Sequence, residues 1–123
     1  MDFKPSNKKR EQKTSLFFHE ISNLIRTLAL DEPDLMKVFV TRVTLSNDYG
    51  ICFVYFSTYA DKSDFDKALP ILKLYKNSLR KTLAQIISSR YAANLVFLYD
   101  ETKDKERKIN ALLDEAVKDL PKD

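Results

Sequence analysis

The sequence predicts an α+β fold in which a three-stranded β-sheet is covered by helices. Stretches with a helical spacing of apolar residues alternate with short stretches rich in Val, Ile, Phe, Tyr and Thr, in the order helix, strand, strand, helix, strand, helix. The 123 residues, 44% of them hydrophobic, suffice for one domain with one core, spanning residues 1–123. A hairpin followed by a helix and a third strand packs naturally as a sheet with its helices on one side.

The first predicted helix follows a polar, cationic start of the chain. Residues 1–13 carry five cations and two acids, and we expect this basic N-terminus to be mobile. Apolar residues then recur three and four positions apart, which is typical of an amphipathic helix: Phe17, Ile21, Leu24 and Leu28. This helix should end near Leu30, ahead of an Asp-Glu-Pro sequence.

Two β-strands are predicted between Met36 and Thr58, because this stretch is rich in β-branched and aromatic residues. Residues 46–50 form turns readily and predict a hairpin. In the first strand, alternation places Val38 and Val40 on one face, opposite Phe39, Thr41, Val43 and Leu45. In the second, Ile51, Phe53 and Tyr55 alternate with Cys52, Val54 and Phe56. Both faces are therefore apolar; one must meet helices, and the other is left for the C-terminal segment or a partner.

A long helix is predicted from Ser63, where Ser63 and Asp66 have the spacing of a capping box. Its apolar residues step by three or four as far as Ile86. Pro70 has no amide hydrogen and should kink the helix early. Asn77 favours turns and tolerates the left-handed region, so it marks a second predicted irregularity.

The last two predicted elements are a strand and a helix. The compact apolar run 95–99 suits a central strand, and Asp100 ends it. Residues 103–120 are predicted to form a C-terminal amphipathic helix. Its apolar stripe consists of Ile109, Leu112, Leu113, Ala116 and Leu120.

The main functional signal is a stretch without carboxylates. Between Lys67 and Tyr99 the chain has six cations and no acid, whereas the other fifteen Lys and Arg face all eighteen Asp and Glu. A helix with such a charge predicts a phosphate-rich partner. The residues on one stripe of the predicted helix, or at its edge, are Lys73, Lys76, Asn77, Arg80 and Lys81. Cations elsewhere that would extend an RNA-binding surface are Lys8, Lys9, Arg10, Arg42 and Arg90.

Several function classes lack the residues that they need. The single histidine, His19, and the single cysteine, Cys52, cannot assemble a zinc site or a catalytic triad. The single glycine, Gly50, rules out glycine-rich nucleotide loops. No apolar run approaches the roughly 20 residues that cross a bilayer, and no signal-peptide pattern is present. We therefore expect a cytoplasmic protein that is not an enzyme, with no metal, cofactor, small-molecule substrate or membrane partner.

The order and spacing of several short motifs resemble the ribosome-binding factor A family. The matching pieces are residues 31–35, 40–48, 68–69, 78–80 and 95–100. This resemblance implies a KH-like domain of type II. It also implies a non-enzymatic bacterial or organellar factor that binds the RNA of the small ribosomal subunit, acts late in its assembly and is associated with growth in the cold. Its partner would be the small subunit with its RNA, and the free protein would be a monomer.

The sequence departs from this family at its kink. Family members have an Ala-any-Gly kink in the long helix, where this chain has Tyr75, Lys76 and Asn77. Asn is the least costly substitute for glycine if the kink needs a left-handed residue. Ala93 stands in place of the family's proline before the last strand. Two alternatives remain open: a basic face that is only a solvated surface, and a KH-like protein-interaction or dimerisation module without RNA binding.

Overall fold

The structure, a computed structural model, describes residues 5–87 and 92–102, together with residues 109, 112 and 113. Its elements are α1 (Pro5–Leu28), a 3₁₀ helix (Pro33–Lys37), β1 (Val38–Leu45), β2 (Ile51–Thr58), α2 (Lys62–Leu74), α3 (Lys76–Ile87) and β3 (Asn94–Tyr99). The strand order is β1-β2-β3; β1 is antiparallel to β2, and β2 is parallel to β3. The predicted α+β class is confirmed. Most of the predicted C-terminal helix, 103–120, lies outside the described residues.

The core lies between the helices and one face of the sheet. The central strand β2 supplies Cys52, Val54 and Phe56, which are completely buried. Side chains of α1, α2 and α3 all belong to the same core cluster, namely Phe17, Ile21, Ile25, Phe65, Ala68, Leu72, Leu79 and Leu83. The opposite, outer face of the sheet carries the half-buried Phe53 and Tyr55. The expectation that one apolar face meets the helices is therefore confirmed.

A β-bulge decides which side chains of β1 reach the core. The sequence predicted Val38 and Val43 on opposite faces, but both are buried in the core. The register of β1 against β2 shifts between Val40 and Arg42. The extra residue, Thr41, inverts the alternation of side chains beyond it, and for this reason the prediction for β1 was wrong.

The basic N-terminus is helical from Pro5 onward, as the first part of α1; the expectation that residues 1–13 are mobile stays a prediction. Proline suits the first position of a helix, and the following Lys, Arg, Glu and Gln residues are good helix formers. A tertiary contact adds to these local preferences. The guanidinium of Arg10 donates to the backbone carbonyls of Leu45 and Ser46, so the start of α1 is held against the hairpin.

The long helix predicted from Ser63 is capped by a different residue. Asp61 is the N-cap of α2, and its carboxylate accepts a hydrogen bond from Ser63 N (3.4 Å). Asp occupies this position well because its short side chain reaches the free amides of the first turn. The helix then continues through Pro70 as far as Leu74.

The break between α2 and α3 falls at Tyr75 and not at Asn77. Tyr75 has φ −92° and ψ 2°, in the bridge region between the helical and extended conformations, which does not require a glycine. Asn77 lies inside α3, so the expected left-handed kink at this residue was wrong. Among the described non-glycine residues, Tyr49 at the tip of the hairpin is the one with a positive φ, 60°.

β3 is confirmed as a strand, but it lies at an edge of the sheet and not at its centre. The central position belongs to β2, which pairs with both neighbours. Hydrogen bonds at both ends extend the pairing of β3 with β2: Asn94 N donates to Gly50 O (2.9 Å), and Asp100 N donates to Phe56 O (2.7 Å). The apolar run 95–99 had indicated a central strand. In the structure only Leu95 and Phe97, on the face of β3 that meets the helices, are fully buried.

Candidate nucleic-acid interface

The helix-break surface consists of five polar side chains around the junction of α2 and α3, namely Lys73, Lys76, Asn77, Arg80 and Lys81. Lys73, Asn77 and Lys81 are exposed, and the other two are half-buried. The first turn of α3 contains Lys76 and no acid. The partial positive charge at the start of α3 is offset by the partial negative charge at the end of α2, one residue earlier, so the side chains supply the positive charge of this surface.

The three lysines of the helix-break surface have no carboxylate partner within the described part of the chain. The salt bridge found there joins Arg42 to Asp100 on the outer face of the sheet. Lys73, Lys76 and Lys81 therefore keep their charges available to a partner. An ammonium group that is already solvated and unpaired can exchange counterions for phosphate groups at little cost.

Arg80 has a structural role in addition to its charge. Its Nε donates to Ala93 O (3.1 Å), and its Nη2 donates to Ala92 O (3.4 Å). These bonds tie α3 to the segment that enters β3. The sequence motif did not reveal this role, because the accepting carbonyls come from another part of the chain.

Tyr75 fixes the helix break to the connection that follows α1. Its hydroxyl donates a hydrogen bond to Glu32 Oε1 (2.9 Å). This hydrogen bond, together with the negative charges of Glu32 and Asp31, raises the pKa of Tyr75. The stretch 67–99 lacks carboxylates in sequence, but the fold brings these two acids beside Tyr75, within that stretch. The positive potential is therefore limited on the side that faces α1.

The predicted N-terminal cations form a separate cluster at the other end of α1. Lys8 and Lys9 are exposed, whereas Arg10 and Lys13 lie over the ring of Tyr49, 5.0 Å and 4.3 Å from its centroid. Tyr49 is the left-handed residue at the hairpin tip, so these cation–π contacts attach α1 to the turn.

This N-terminal cluster and the helix-break surface are not contiguous. Leu28, near the C-terminal end of α1, lines a small cleft together with Tyr75 and Leu79. Arg10 and Leu28 are 18 residues apart, or about 27 Å along the helix axis. Apart from Arg42 and Arg90, the predicted RNA-binding residues are thus divided between the two ends of α1.

The hairpin tip that carries Tyr49 is rigidly hydrogen-bonded. Asp48 Oδ1 accepts from Gly50 N (2.9 Å) and from Ser46 Oγ (2.8 Å), and Ser46 Oγ accepts from Ile51 N (2.9 Å). The Gly50 amide and then the Ser46 hydroxyl lower the pKa of Asp48 by stabilising its ionised form. Asp48 is therefore a turn residue, as its position in the sequence indicated.

Arg42 lies on the outer face of the sheet, where it lines a small cleft together with Thr14 and Ser15 of α1. Its guanidinium is 3.9 Å from the centroid of the Tyr55 ring and 3.5 Å from Asp100 Oδ2. Asp100 also accepts a hydrogen bond from Thr41 Oγ1 (2.6 Å). These partners offset the charge of Arg42. The last predicted cation, Arg90, lies outside the described residues.

Neither a metal centre nor a membrane span appears in the part of the chain that the structure describes. Within it, no three or more His, Cys, Asp and Glu side chains are grouped so that they could hold a metal ion. None of its helices is both long and apolar enough to cross a bilayer. The site is thus defined by unpaired lysines and by the helix break that presents them.

The architecture and this site define the class of protein. A helix, a hairpin, a helix broken near its middle and a parallel third strand, with cations at the break, fit the KH-like type II description. A family model described as ribosome-binding factor A matches residues 9–113, and the chain belongs to this family. It is similar to the ribosome-binding factor A of Malacoplasma penetrans, with 41% identity over 111 residues, which cover 89% of this chain and 93% of that protein.

Solved structures of this family share the fold. The crystal structure of ribosome-binding factor A from Thermus thermophilus superimposes with a TM-score of 0.64 at 24% identity, covering 73% of this chain and 94% of that one. A homology model of the Thermus thermophilus protein, fitted into a cryo-EM map of its complex with the 30S subunit, gives a TM-score of 0.54 at 26% identity. That match covers 76% of this chain and 92% of the fitted model.

Proposed function

We propose that this protein binds the RNA of the small ribosomal subunit through the helix-break surface and assists the maturation of that subunit late in its assembly. The observation that carries the proposal is the set of unpaired lysines, Lys73, Lys76 and Lys81, presented where α2 meets α3. Membership of the ribosome-binding factor A family supports the choice of partner. So does the Thermus thermophilus relative that has been fitted into a complex with the 30S subunit.

The mechanism is one of binding and release. The lysines contact phosphates of an immature RNA segment, and Tyr75 with Glu32 holds the break that orients them. Asn77, exposed between the cations, donates or accepts hydrogen bonds with the RNA. An assembly factor must leave after its task, so its binding is of moderate strength and depends steeply on salt. No covalent step is required, and the protein acts in the cytoplasm without enzymatic activity.

The N-terminal cluster provides a second, independent contact. Lys8 and Lys9 are exposed at the start of α1, about 29 Å along the axis from its C-terminal end. RNA that touches both clusters must therefore follow the length of α1. Arg42, whose charge is shared with Asp100 and Tyr55, contributes less.

The test is co-sedimentation of the protein with small ribosomal subunits over a series of salt concentrations. The variant Lys73→Glu/Lys76→Glu reverses two charges of the helix-break surface and leaves Arg80 in place. A matched control, Lys37→Glu/Lys62→Glu, changes the net charge by the same amount at other exposed lysines. We expect the first variant to bind more weakly and to have a shallower log–log salt slope, by about 0.7 to 0.9 for each phosphate group that it no longer neutralises.

The control distinguishes a local contact from general electrostatic attraction. If both variants bind more weakly by the same factor while remaining folded, the helix-break surface is not the binding site. If both bind as the wild type does, the KH-like interaction module without RNA binding becomes the better explanation. The variant Lys8→Glu/Lys9→Glu, measured in the same series, assigns a share of the binding to the N-terminal cluster.

A further inference from the structure

A continuous trough runs between α1 and the edge of the sheet at β1. Three adjoining clefts make it up, and the largest has a volume of about 470 Å³. Phe18 lines both the first and the second cleft, and Val43 lines both the second and the third. The trough, named here the α1–β1 trough, therefore follows β1 over its whole length, from Val38 to Leu45.

One stripe of α1 forms a wall of the α1–β1 trough. The lining residues of α1 recur three and four positions apart and so lie on one side of the helix, as do Glu11, Ser15, Phe18, Ser22, Arg26 and Ala29. Leu24 and Leu28, which line the cleft beside Tyr75, lie on a different side of α1. The trough is thus separate from the helix-break surface.

The other wall is an edge strand whose backbone groups are free. β1 pairs with β2 on one side, and within the described residues no strand pairs with its other side. Lys37 O accepts from Tyr59 N, and Ser46 N donates to Ile51 O, so these two residues face β2. Because successive residues of an antiparallel strand alternate in direction, and the bulge shifts this alternation by one, Val40 and Val43 turn their N–H and C=O away from β2.

These free groups determine what kind of molecule fits the trough. No hydrogen bond from the described part of the chain reaches the amide or carbonyl of Val40 or Val43. An extended polypeptide offers donors and acceptors at every second residue, in the spacing that a strand edge presents, and it can add to the sheet as a further strand. A nucleic acid strand has no such repeat of donors and acceptors.

The first cleft also provides an apolar surface for side chains of such a strand. Leu30, Met36 and Tyr59 line it and are 81%, 64% and 71% exposed. The ring of Tyr59 packs on that of Phe39, with 4.7 Å between the centroids. A concentration of exposed apolar side chains around a concave site marks a docking surface.

Charge restricts the partner further. Arg26 is exposed at the first cleft, and within the described residues it has no carboxylate partner. No carboxylate lines that cleft. At the far end, Arg10 donates to the carbonyls of Leu45 and Ser46, so the free edge ends before Leu45. A strand antiparallel to β1 therefore has its C-terminal end near Arg26, where a carboxylate is favoured.

We propose that the α1–β1 trough binds an extended segment of a partner protein, which adds antiparallel to the free edge of β1 as a fourth strand. Alternate apolar side chains of this segment enter the first cleft, and an acidic residue near its C-terminal end meets Arg26. The amide and carbonyl groups of Val40 and Val43 hold its backbone. The proposal does not depend on RNA binding.

The test is an NMR titration of the full-length, ¹⁵N-labelled chain with an acetylated and amidated heptapeptide, Ser-Val-Thr-Val-Thr-Val-Glu. A titration to about 1 mM peptide detects dissociation constants in the millimolar range and below. We expect the amide signals of Val40 and Val43 to shift downfield, and the signal of Val54 in the central strand to stay in place. Absence of shifts at Val40 and Val43 overturns the proposal.

Backbone methylation of the peptide distinguishes strand addition from mere contact. Two isomers carry N-methyl groups on alternate residues, so that one isomer loses the amides that face β1 and the other loses those that face away. We expect the first isomer to bind at least about tenfold more weakly and the second to bind as the unmodified peptide does, because only the first loses hydrogen bonds to β1. Equal affinities for the two isomers overturn the proposal.

A charge exchange tests the role of Arg26. The wild type should prefer the peptide ending in Glu over one ending in Lys, and Arg26→Glu should reverse that preference. The matched control, Lys67→Glu, makes the same charge change at an exposed lysine of α2 and should retain the wild-type preference. Equal effects of both variants would indicate general attraction, which overturns the assignment of Arg26.

Two other occupants give distinct results in the same experiment. An oligouridylate that shifts the Val40 and Val43 signals and displaces the peptide would make the trough an RNA path. Shifts of these signals with protein concentration alone, together with a dimer in analytical ultracentrifugation, would place a second copy of the chain at the edge of β1. Either result overturns the proposal.

Discussion

Replacement of Asp100 by alanine is expected to lower the stability of the domain substantially, although Asp100 lies outside the proposed RNA-binding surfaces. Asp100 is buried, with a relative exposure of 5%. Its carboxylate accepts hydrogen bonds from Thr41 Oγ1 (2.6 Å) and Thr102 N (3.0 Å). It also lies 3.5 Å from the guanidinium of Arg42. One side chain thus joins β3, the bulge in β1 and the turn that follows β3.

The magnitude follows from these contacts. A hydrogen bond to a charged, buried acceptor contributes about 1.5 to 3 kcal/mol, and loss of the hydrogen bond from Thr102 N costs about 1 kcal/mol more. Arg42 is 52% exposed, so its ion pair adds less than about 0.5 kcal/mol. We expect Asp100→Ala to reduce the free energy of unfolding by about 3 kcal/mol, which corresponds to a fall in Tm of about 10 °C in a domain of this size.

Urea unfolding followed by circular dichroism measures this loss, and two variants serve as controls. Asp100→Asn retains a hydrogen-bond acceptor, so its free energy of unfolding should fall by less than that of Asp100→Ala. For Arg42→Gln the fall should be under about 1 kcal/mol. If the free energy of unfolding of Asp100→Ala is within about 0.5 kcal/mol of the wild-type value, the hydrogen bonds of Asp100 do not hold the sheet together. That result would refute the reasoning.

The carboxylate of Asp100 also makes the free energy of unfolding depend on pH in acidic solution. Burial acts to raise the pKa of Asp100, but hydrogen bonds from Thr41 and Thr102 and the charge of Arg42 outweigh it, so the net pKa is lowered. A lowered pKa in the folded state means that the stabilisation is present above the ordinary aspartate pKa. It is lost as the pH falls through the lower, folded value. The difference between wild type and Asp100→Asn should therefore shrink in acid.

Two further residues give independent tests. Cys52 should react with a thiol reagent far more slowly in the native protein than in denaturing urea, because burial raises its pKa to about 12; equal rates would show that the core opens freely. Tyr75→Phe should weaken RNA binding without loss of helix content, since its hydroxyl ties the break to Glu32. The pKa of Tyr75 is raised, so that tie contributes stability below the ordinary tyrosine pKa of about 10 and loses it as the pH rises through the folded value. Urea midpoints of wild type and Tyr75→Phe that differ equally at neutral and strongly alkaline pH would contradict this assignment.

Much of the fold followed from local patterns. The hairpin around residues 46–50 and the strand after Ala93 were recognisable because period-2 alternation and turn residues act over a few positions. The bulge at Thr41 was not recognisable from local patterns, because its hydroxyl donates to the carboxylate of Asp100, 59 residues away in the chain. The helix break lies at Tyr75, and not at the predicted Asn77, for a similar reason. The Tyr75 side chain is hydrogen-bonded to Glu32, which belongs to the connection after α1.

The sequence by itself determined the composition of the candidate site: a run of cations without intervening acids on an amphipathic helix. The tertiary structure decided which of these charges remain available. It turned Arg80 toward the carbonyls of Ala92 and Ala93, and it separated Arg10 from the helix-break surface by the length of α1. The physical reason is that charge is a property of each residue, whereas partners are assigned by packing between distant segments. Lys73, Lys76 and Lys81 stay unpaired among the described residues, and the proposed function depends on them.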